Sequence, residues 1–512
     1  MVRRLFVSLA SLFCLASILL VTFVLYDSPI SRPLFPTPSW ARPKPANTDN
    51  GAAEKVAPNQ GLQHVATAHP STQSPEAQSS QADAKLETPS ASPSRVSSVA
   101  PSQSPSAAPS ATPVKNKPFG PLATDGSIQV YLTETGGSHD EVSAAFIHAF
   151  GTVGKVQLQS FLLLQRYGIK EIVQDFNLSS PLPPAKDPGK FRPALLERTP
   201  HILIFTTCEL DTEKYHEELD QLLEEGHTYL FCVFHHAEKW SGPKYSNWLK
   251  PWVEARKISF VALSPHTGHF MEMNSLSAWD LPVNPAILSL TPIFPVKLLE
   301  EPDSTRAHTD LDFALQGDYD PKRRDYATIF KHLSQFLSRG DDDNSGGGAG
   351  SESEGEDENA NKSELKLHLL GHGPHPDVPS TLTSNVAFDE RLNYTAFYSI
   401  LSRTFALLPA FADDDYLDRK ASSSVPAALI AGTPIVATKD ILNAYSYMRS
   451  KWVWFQKQGE TDMEVVGRVL SMTREERLEK MKVVREARDQ IISDNTKKVT
   501  KWVNSALGAI KT

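Results

Sequence analysis

Cysteine is scarce in this chain, with three in 512 residues. That excludes a disulfide-framework scaffold and most zinc modules. An excess of basic residues is also lacking. Lys and Arg number 51 against 60 Asp and Glu, and the formal net charge of −9 argues against a nucleic-acid binder. Most of that charge is local: Gly340–Asn361 holds eight acidic residues and no basic one, so the remainder is close to neutral. Aromatic residues are absent from Ala41 to Pro118. Repeats of solenoid period are absent as well. Proline is abundant but uneven, with 16 of the 38 between Pro29 and Pro118. A composition of 40% hydrophobic and 22% charged residues permits a large core. The length allows roughly two to four domains.

Leu5–Tyr26 runs 22 residues without a charge, and Arg3 and Arg4 precede it. A helix of that length spans about 33 Å, enough for a bilayer core. The positive-inside rule keeps residues 1–4 in the cytosol, and the run exceeds the 7–15 residues usual in a cleaved signal peptide. Residues 5–26 therefore read as a signal-anchor. Residues 27–118 are too poor in apolar side chains to offset their chain entropy and read as a disordered stem. Anchor, stem and globular region together resemble the layout of type II Golgi enzymes. Asn177, Asn361 and Asn393 head Asn-x-Ser/Thr triplets and are N-glycosylation candidates in a lumen. Cys208 and Cys232 lie in apolar runs, as two buried thiols or as a disulfide pair.

After the stem, short apolar runs alternate with amphipathic segments. Strands are expected at Ile128–Leu132, His201–Phe205, Tyr229–Phe234 and Ile258–Leu263. Helices are expected at Asp140–Phe150, Val156–Tyr167 and Glu213–Glu225. The pattern resumes at Phe313–Gly317 and continues through Leu365–Leu370, Phe405–Leu408 and Ile435–Thr438. Continuous apolar strands between helices imply parallel sheets covered on both faces. The fold class is α/β, with two doubly wound Rossmann-like domains at 119–305 and 306–512. The second carries a disordered acidic insert at 340–363. A cleft forms between the carboxyl ends of the two sets of strands, where such sheets bind ligands.

Two segments point to an anion. In Lys420-Ala421-Ser422-Ser423-Ser424-Val425-Pro426, Ser424 suits an N-cap, Pro426 the first turn, and Gly432 the left-handed position after the last turn. The helix start, three hydroxyls and the Lys420 ammonium form a candidate phosphate site. In Asp318-Tyr319-Asp320-Pro321-Lys322-Arg323-Arg324, three cations open a helix, where the dipole disfavours them. A bound diphosphate compensates, and Arg323 or Arg324 suits bidentate contacts to it. Among residues placed to face the cleft, His139, Asp140 and His266 are candidate catalytic acid–base groups. No set of His, Cys or carboxylates has convincing metal-ligand spacing.

The order of these motifs resembles the C-terminal nucleotide-sugar domain of GT-B-fold glycosyltransferases. The likeness is greatest to the retaining group that includes glycogen synthases and many mannosyltransferases. It is carried by the basic helix start after Gly317, by Gly371-His372-Gly373, and by the serine turn leading into Ala431-Gly432-Thr433-Pro434-Ile435-Val436. It covers Asp312 to about Tyr447, while the first domain matches by pattern, with Thr135-Gly136-Gly137 at the place of a Gly-Gly loop. One departure stands out. The two glutamates usual in that group correspond to Arg419 and Ala427.

The resemblance implies a Golgi or ER membrane glycosyltransferase whose globular part is luminal. Its partners are a nucleotide-diphosphate sugar and a glycan, glycoprotein or glycolipid acceptor. The membrane is met through one helix, and neither nucleic acid, metal nor further cofactor is expected. Arg323, Arg324, Lys420, Ser422, Ser423 and Ser424 bind the diphosphate, and Gly136, Gly137, Gly371 and Gly373 form cleft loops. Two alternatives stand. One is a GT-A enzyme using Asp318 and Asp320 to hold a metal. The other is a degenerate domain kept as a luminal scaffold, which Arg419 and Ala427 favour.

Overall fold

Residues 117–297, 311–338 and 364–511 are described by the computed structural model. The expected anchor, all but the last two residues of the stem, the insert at 340–363, Asn361 and the boundary at 305/306 lie outside them. Among the described residues no helix is long and apolar enough to cross a membrane.

Two six-stranded, wholly parallel sheets carry the fold. The first contains β1 (Ile128–Glu134), β2 (Val156–Leu162), β3 (Ile202–Phe205), β4 (Tyr229–Phe234), β5 (Ile258–Ala262) and β6 (Ala286–Ser289). Its order is β2-β1-β3-β4-β5-β6. The second contains β7 (Asp312–Gln316), β8 (Lys366–Gly371), β9 (Val386–Glu390), β10 (Ala406–Leu408), β11 (Ile435–Ala437) and β12 (Val453–Phe455). Its order is β12-β11-β10-β7-β8-β9. Both orders are doubly wound, and the chain reverses direction between β1 and β3 and between β7 and β10. The strands β3, β4, β5, β10 and β11 are buried along their whole length, as sheets covered on both faces require.

Several boundaries differ from the sequence reading. Val156–Tyr167 is not a helix: its first seven residues form the edge strand β2 beside β1. Val156, Leu158 and Leu162 pack into the central core while Phe161 packs on the opposite face. That is the period of two of a strand, hidden in the sequence by the leucine run at 162–164. Glu213–Glu225 is broken at Tyr215, whose buried ring separates the helices Cys208–Lys214 and His216–Glu225. The short strands β6 and β12 were not expected. Cys208 and Cys232 form a disulfide that ties a helix start to β4.

The helices that position the cleft are α1 (Asp140–Gly151), α2 (Ile169–Gln174), α3 (Pro265–Phe270), α4 (Tyr326–Ser338), α5 (Tyr394–Leu401), α6 (Ser424–Ala431) and α7 (Arg474–Ala509). All described residues lie in one compact unit. The central core draws on the inner faces of both sheets and on α1, α6 and α7. Two further cores cover the outer faces. The last helix, α7, is opened by the Thr473–Glu476 capping box and passes from one domain to the other. Trp502 on it stacks against Phe231 of β4 at 6.1 Å, and Asn495 donates to the Thr291 carbonyl at 2.8 Å.

Candidate functional site

A cavity of about 720 Å³ opens at the carboxyl edges of both sheets, at their two reversal points. From the first domain it is lined by the segment after β1, with Ser138, His139 and Glu141, and by His235 and His236 after β4. From the second it is lined by Gln316–Asp318 and Arg323 at and beyond the end of β7, Gly371 and His372 at the end of β8, and Lys420–Ser423 before α6.

His139 sits in a short network of hydrogen bonds. The Glu134 carboxylate accepts from the amides of Gly136 and Gly137 at 2.7–2.9 Å and from the Thr207 hydroxyl at 3.2 Å. The Thr207 oxygen lies 3.1 Å from His139 Nδ1, and Ser138 Oγ lies 3.4 Å from the same nitrogen; with the Thr207 proton on Glu134, Nδ1 is the donor to Thr207. In that tautomer the lone pair of His139 is on Nε2, which has no protein partner among the described residues, and the residue lines the cavity. Burial, with His235 and His236 beside it, holds the imidazole well below the usual histidine range. The His235 ring stacks on it at 3.7 Å. A neutral, correctly tautomerised imidazole is what a general base requires. Glu134 and Thr207 escaped the sequence reading because 73 positions separate them. The available signal was an acid at a strand end just before a Gly-Gly turn.

Asp140 and His266 lie elsewhere. Asp140 turns away from the cleft, and its Oδ2 accepts from the Arg166 amide at 3.0 Å. His266, on α3, does not line the cavity. Its two ring nitrogens approach the carbonyls of Lys420 and Ala444 at 2.9 Å each, so it joins the two domains. Glu141 does line the cavity. Its carboxylate accepts from the Tyr398 hydroxyl of α5 at 2.6 Å, and burial raises its carboxyl to about 7.

The two neighbouring arginines part company. Arg323 lines the cavity, ion-paired with Asp318 and donating to the Tyr416 hydroxyl at 3.0 Å. Arg324, expected as its equal, is only 1% exposed. Its guanidinium donates to the Gln316 carbonyl at 3.0 Å and to Ser424 Oγ at 2.8 Å, under the rings of Phe411 and Tyr416. It props the serine turn and does not reach the cavity. Ser424 is likewise fully buried and spends its hydroxyl on Gln316 and Arg324, so it does not cap α6. Ser422 is buried and Ser423 exposed, and both line the cavity. Lys420 reaches it too, paired with Asp415 at 2.5 Å.

The glycine loops also divide. The amides of Gly136 and Gly137 are taken by Glu134, and neither glycine lines the cavity. Gly371 does, and a Cβ there would stand 1.9 Å from the Gly317 carbonyl, so the two loops of the second sheet meet only without a side chain. Gly373 lies behind, against Tyr319. Ala427 lines the cavity with its methyl group, whereas Arg419 pairs with Asp415 and Asp418 outside it. Asp318 is engaged by Arg323 and by His372 at 3.0 Å, and Asp320 does not line the cavity. Among the described residues no three His, Cys, Asp or Glu side chains converge as metal ligands. Asn177 and Asn393 are exposed, and Asn393 also caps α5 through the Ala396 amide.

No protein-family model matches this chain, and no curated protein matches it. Solved structures of similar shape include Anabaena HepE in complex with UDP and glucose, at 10% identity and a TM-score of 0.43, covering 74% of this chain and 100% of that one. Another is a UDP-glucosyltransferase from Polygonum tinctorium capable of glucosylating indoxyl, at 10% identity and 0.38, covering 76% and 100%. A Thermobaculum terrenum O-GlcNAc transferase aligns at 10% identity and 0.39, covering 78% and 70%. Likeness at this level assigns neither a family nor an activity to the chain.

Proposed function

We propose that this chain is a glycosyltransferase of GT-B architecture that moves a sugar from a nucleotide-diphosphate donor to a hydroxyl acceptor. The observation that carries the reading is the meeting, in one cavity, of a base-ready His139 from one domain with Arg323, Lys420 and the start of α6 from the other. In the reaction, His139 Nε2 takes the acceptor hydroxyl proton as its oxygen bonds to the anomeric carbon. The bond from that carbon to the diphosphate oxygen breaks, and the diphosphate keeps the electron pair. Arg323, Lys420, Ser422, Ser423 and the helix dipole stabilise the charge that develops there. A single displacement inverts the anomeric configuration.

A glycan, glycoprotein or glycolipid acceptor, and a Golgi or ER membrane location with the globular part luminal, belong to the same reading. The sequence of residues 1–118 supports the location, as does the Cys208–Cys232 disulfide, since such bonds persist in oxidising compartments. The missing glutamates at Arg419 and Ala427 favour one other reading, a domain that binds nucleotide diphosphate without turnover.

The test uses the full chain. UDP, GDP and ADP are screened by thermal shift, and sugar nucleotides of the base that binds are then assayed for transfer, with the product anomer read by NMR. Transfer with inversion, cut by about 10²- to 10⁴-fold in His139→Ala with diphosphate affinity kept, is expected. Binding without turnover would leave the scaffold reading, and no binding at all would remove both.

A further inference from the structure

A second cavity, of about 620 Å³, lies wholly within the first domain, between α1, α2, the end of β2 and the segment 176–185. It is distinct from the cleft. At the start of α1 the chain alternates, with His139 and Glu141 lining the cleft and Asp140 lining this second space. Its walls are mainly apolar, formed by Ile147, Leu162, Val173, Phe176, Leu182 and the neighbouring prolines. Protein interiors leave few voids larger than one water, and a cavity of this size with apolar walls and a few polar groups has the dimensions of a small-molecule site.

The polar end is Asp140. It is 6% exposed, and among the described residues its only hydrogen bond comes from the Arg166 amide to Oδ2. Oδ1 has no donor. Lys170, the basic residue among the lining side chains, is exposed and makes no ion pair with it. Burial raises the Asp140 carboxyl to about 6, which reflects how little solvates it. Oδ1 keeps some exposure, so a donor bound in the cavity can reach it and supply the hydrogen bond that the protein does not.

We propose that this cavity is a second ligand site, taking a small amphiphile with an apolar body and one hydrogen-bond-donating head. The head, an alcohol or an amine, donates to Asp140 Oδ1, and the body lies against Val173, Phe176 and Leu182. Anionic heads are refused by the same carboxylate. The site does not depend on the activity assigned to the cleft.

Ligand-observed NMR and calorimetry on the full chain, with 1-octanol, octylamine and octanoate as probes, test this. The alcohol and the amine should bind at least tenfold more tightly than octanoate. Saturating UDP should leave them bound. Asp140→Asn should bring amine and octanoate within about twofold of each other, and Val173→Trp, which fills the cavity, should weaken all probes by at least tenfold. Should either variant fail to fold, the octanoate comparison and the UDP competition on the parent still decide. Absence of alcohol and amine binding, equal binding of octanoate, displacement by UDP, or a head-group preference that survives Asp140→Asn would each overturn the proposal.

Discussion

Arg323 and Lys420 are not idle cations waiting in the cleft. Each already holds a carboxylate, Asp318 and Asp415 respectively. A diphosphate must compete with those partners, and its net gain is smaller than a charge-assisted bond to a free cation. Such bonds contribute roughly 1.5–3 kcal/mol, so after competition Lys420→Ala should weaken UDP binding by about one order of magnitude. Asp318→Asn should act in the opposite sense and tighten UDP binding severalfold, because it releases Arg323 and removes a like charge. Titration calorimetry on the two variants checks both signs. Arg324→Ala belongs to a different category. Losing a buried guanidinium that props Ser422 and Ser424 should lower the melting temperature as well as the affinity.

At the scale of elements, the second sheet carries a charged strap. His368 on β8 lies 2.7 Å from Asp389 on β9 and 3.5 Å from Asp312 on β7. Burial works against the imidazolium, but the two carboxylates outweigh it and raise His368 to about 9. The sign follows from linkage. Stabilisation is complete below the unfolded value of 6.5, declines as pH rises above it, and is gone above about 9. The melting-temperature gap between the parent and His368→Gln should therefore be widest below pH 6.5 and close as pH passes about 9. In the first domain, the disulfide closes a loop with a sequence separation of 24. Loop-closure entropy for that length gives roughly 3 kcal/mol, and denaturant unfolding of Cys232→Ser against the parent should show a loss of about that size.

Taken as a whole, the molecule depends on α7. A helix of 36 residues reaches about 54 Å, which lets one element pack on both domains. Val499 and Val503 are fully buried in the central core, and Trp502 meets Phe231 of the first sheet. His266 adds a second tie, from the first domain to the Lys420 and Ala444 carbonyls of the other. Trp502→Ala should cost roughly 2–3 kcal/mol, at or below the bottom of the range for buried aromatic truncation, since the ring is only half-buried. The loss should appear as earlier unfolding of both domains together in denaturant. A separate transition for the first domain alone would contradict this coupling.

Local chemistry made much of the plan legible in the sequence. Continuous apolar runs such as Tyr229–Phe234 have one economical home, a parallel sheet buried on both faces. Gly432 ends α6 with φ of 76°, and Thr473 opens α7, because caps are set by residues a few positions apart. The cations after β7 and before α6 were visible too, but they do not open helices as expected: Lys322–Arg324 lie in a turn ahead of Tyr326, and Lys420 lies four positions before Ser424. What only the tertiary structure decided is direction and partnership. Arg323 and Arg324 are adjacent and chemically alike, and the packing of Phe411, Ser422 and Ser424 against one of them determines which reaches the cleft. His139 becomes a base candidate, and Asp140 the end of another cavity, because Thr207 arrives from β3 and Arg166 from beyond β2. Those contacts span 68 and 26 positions, and a hydrogen bond across such distances exists only once the first sheet has brought its strand ends together.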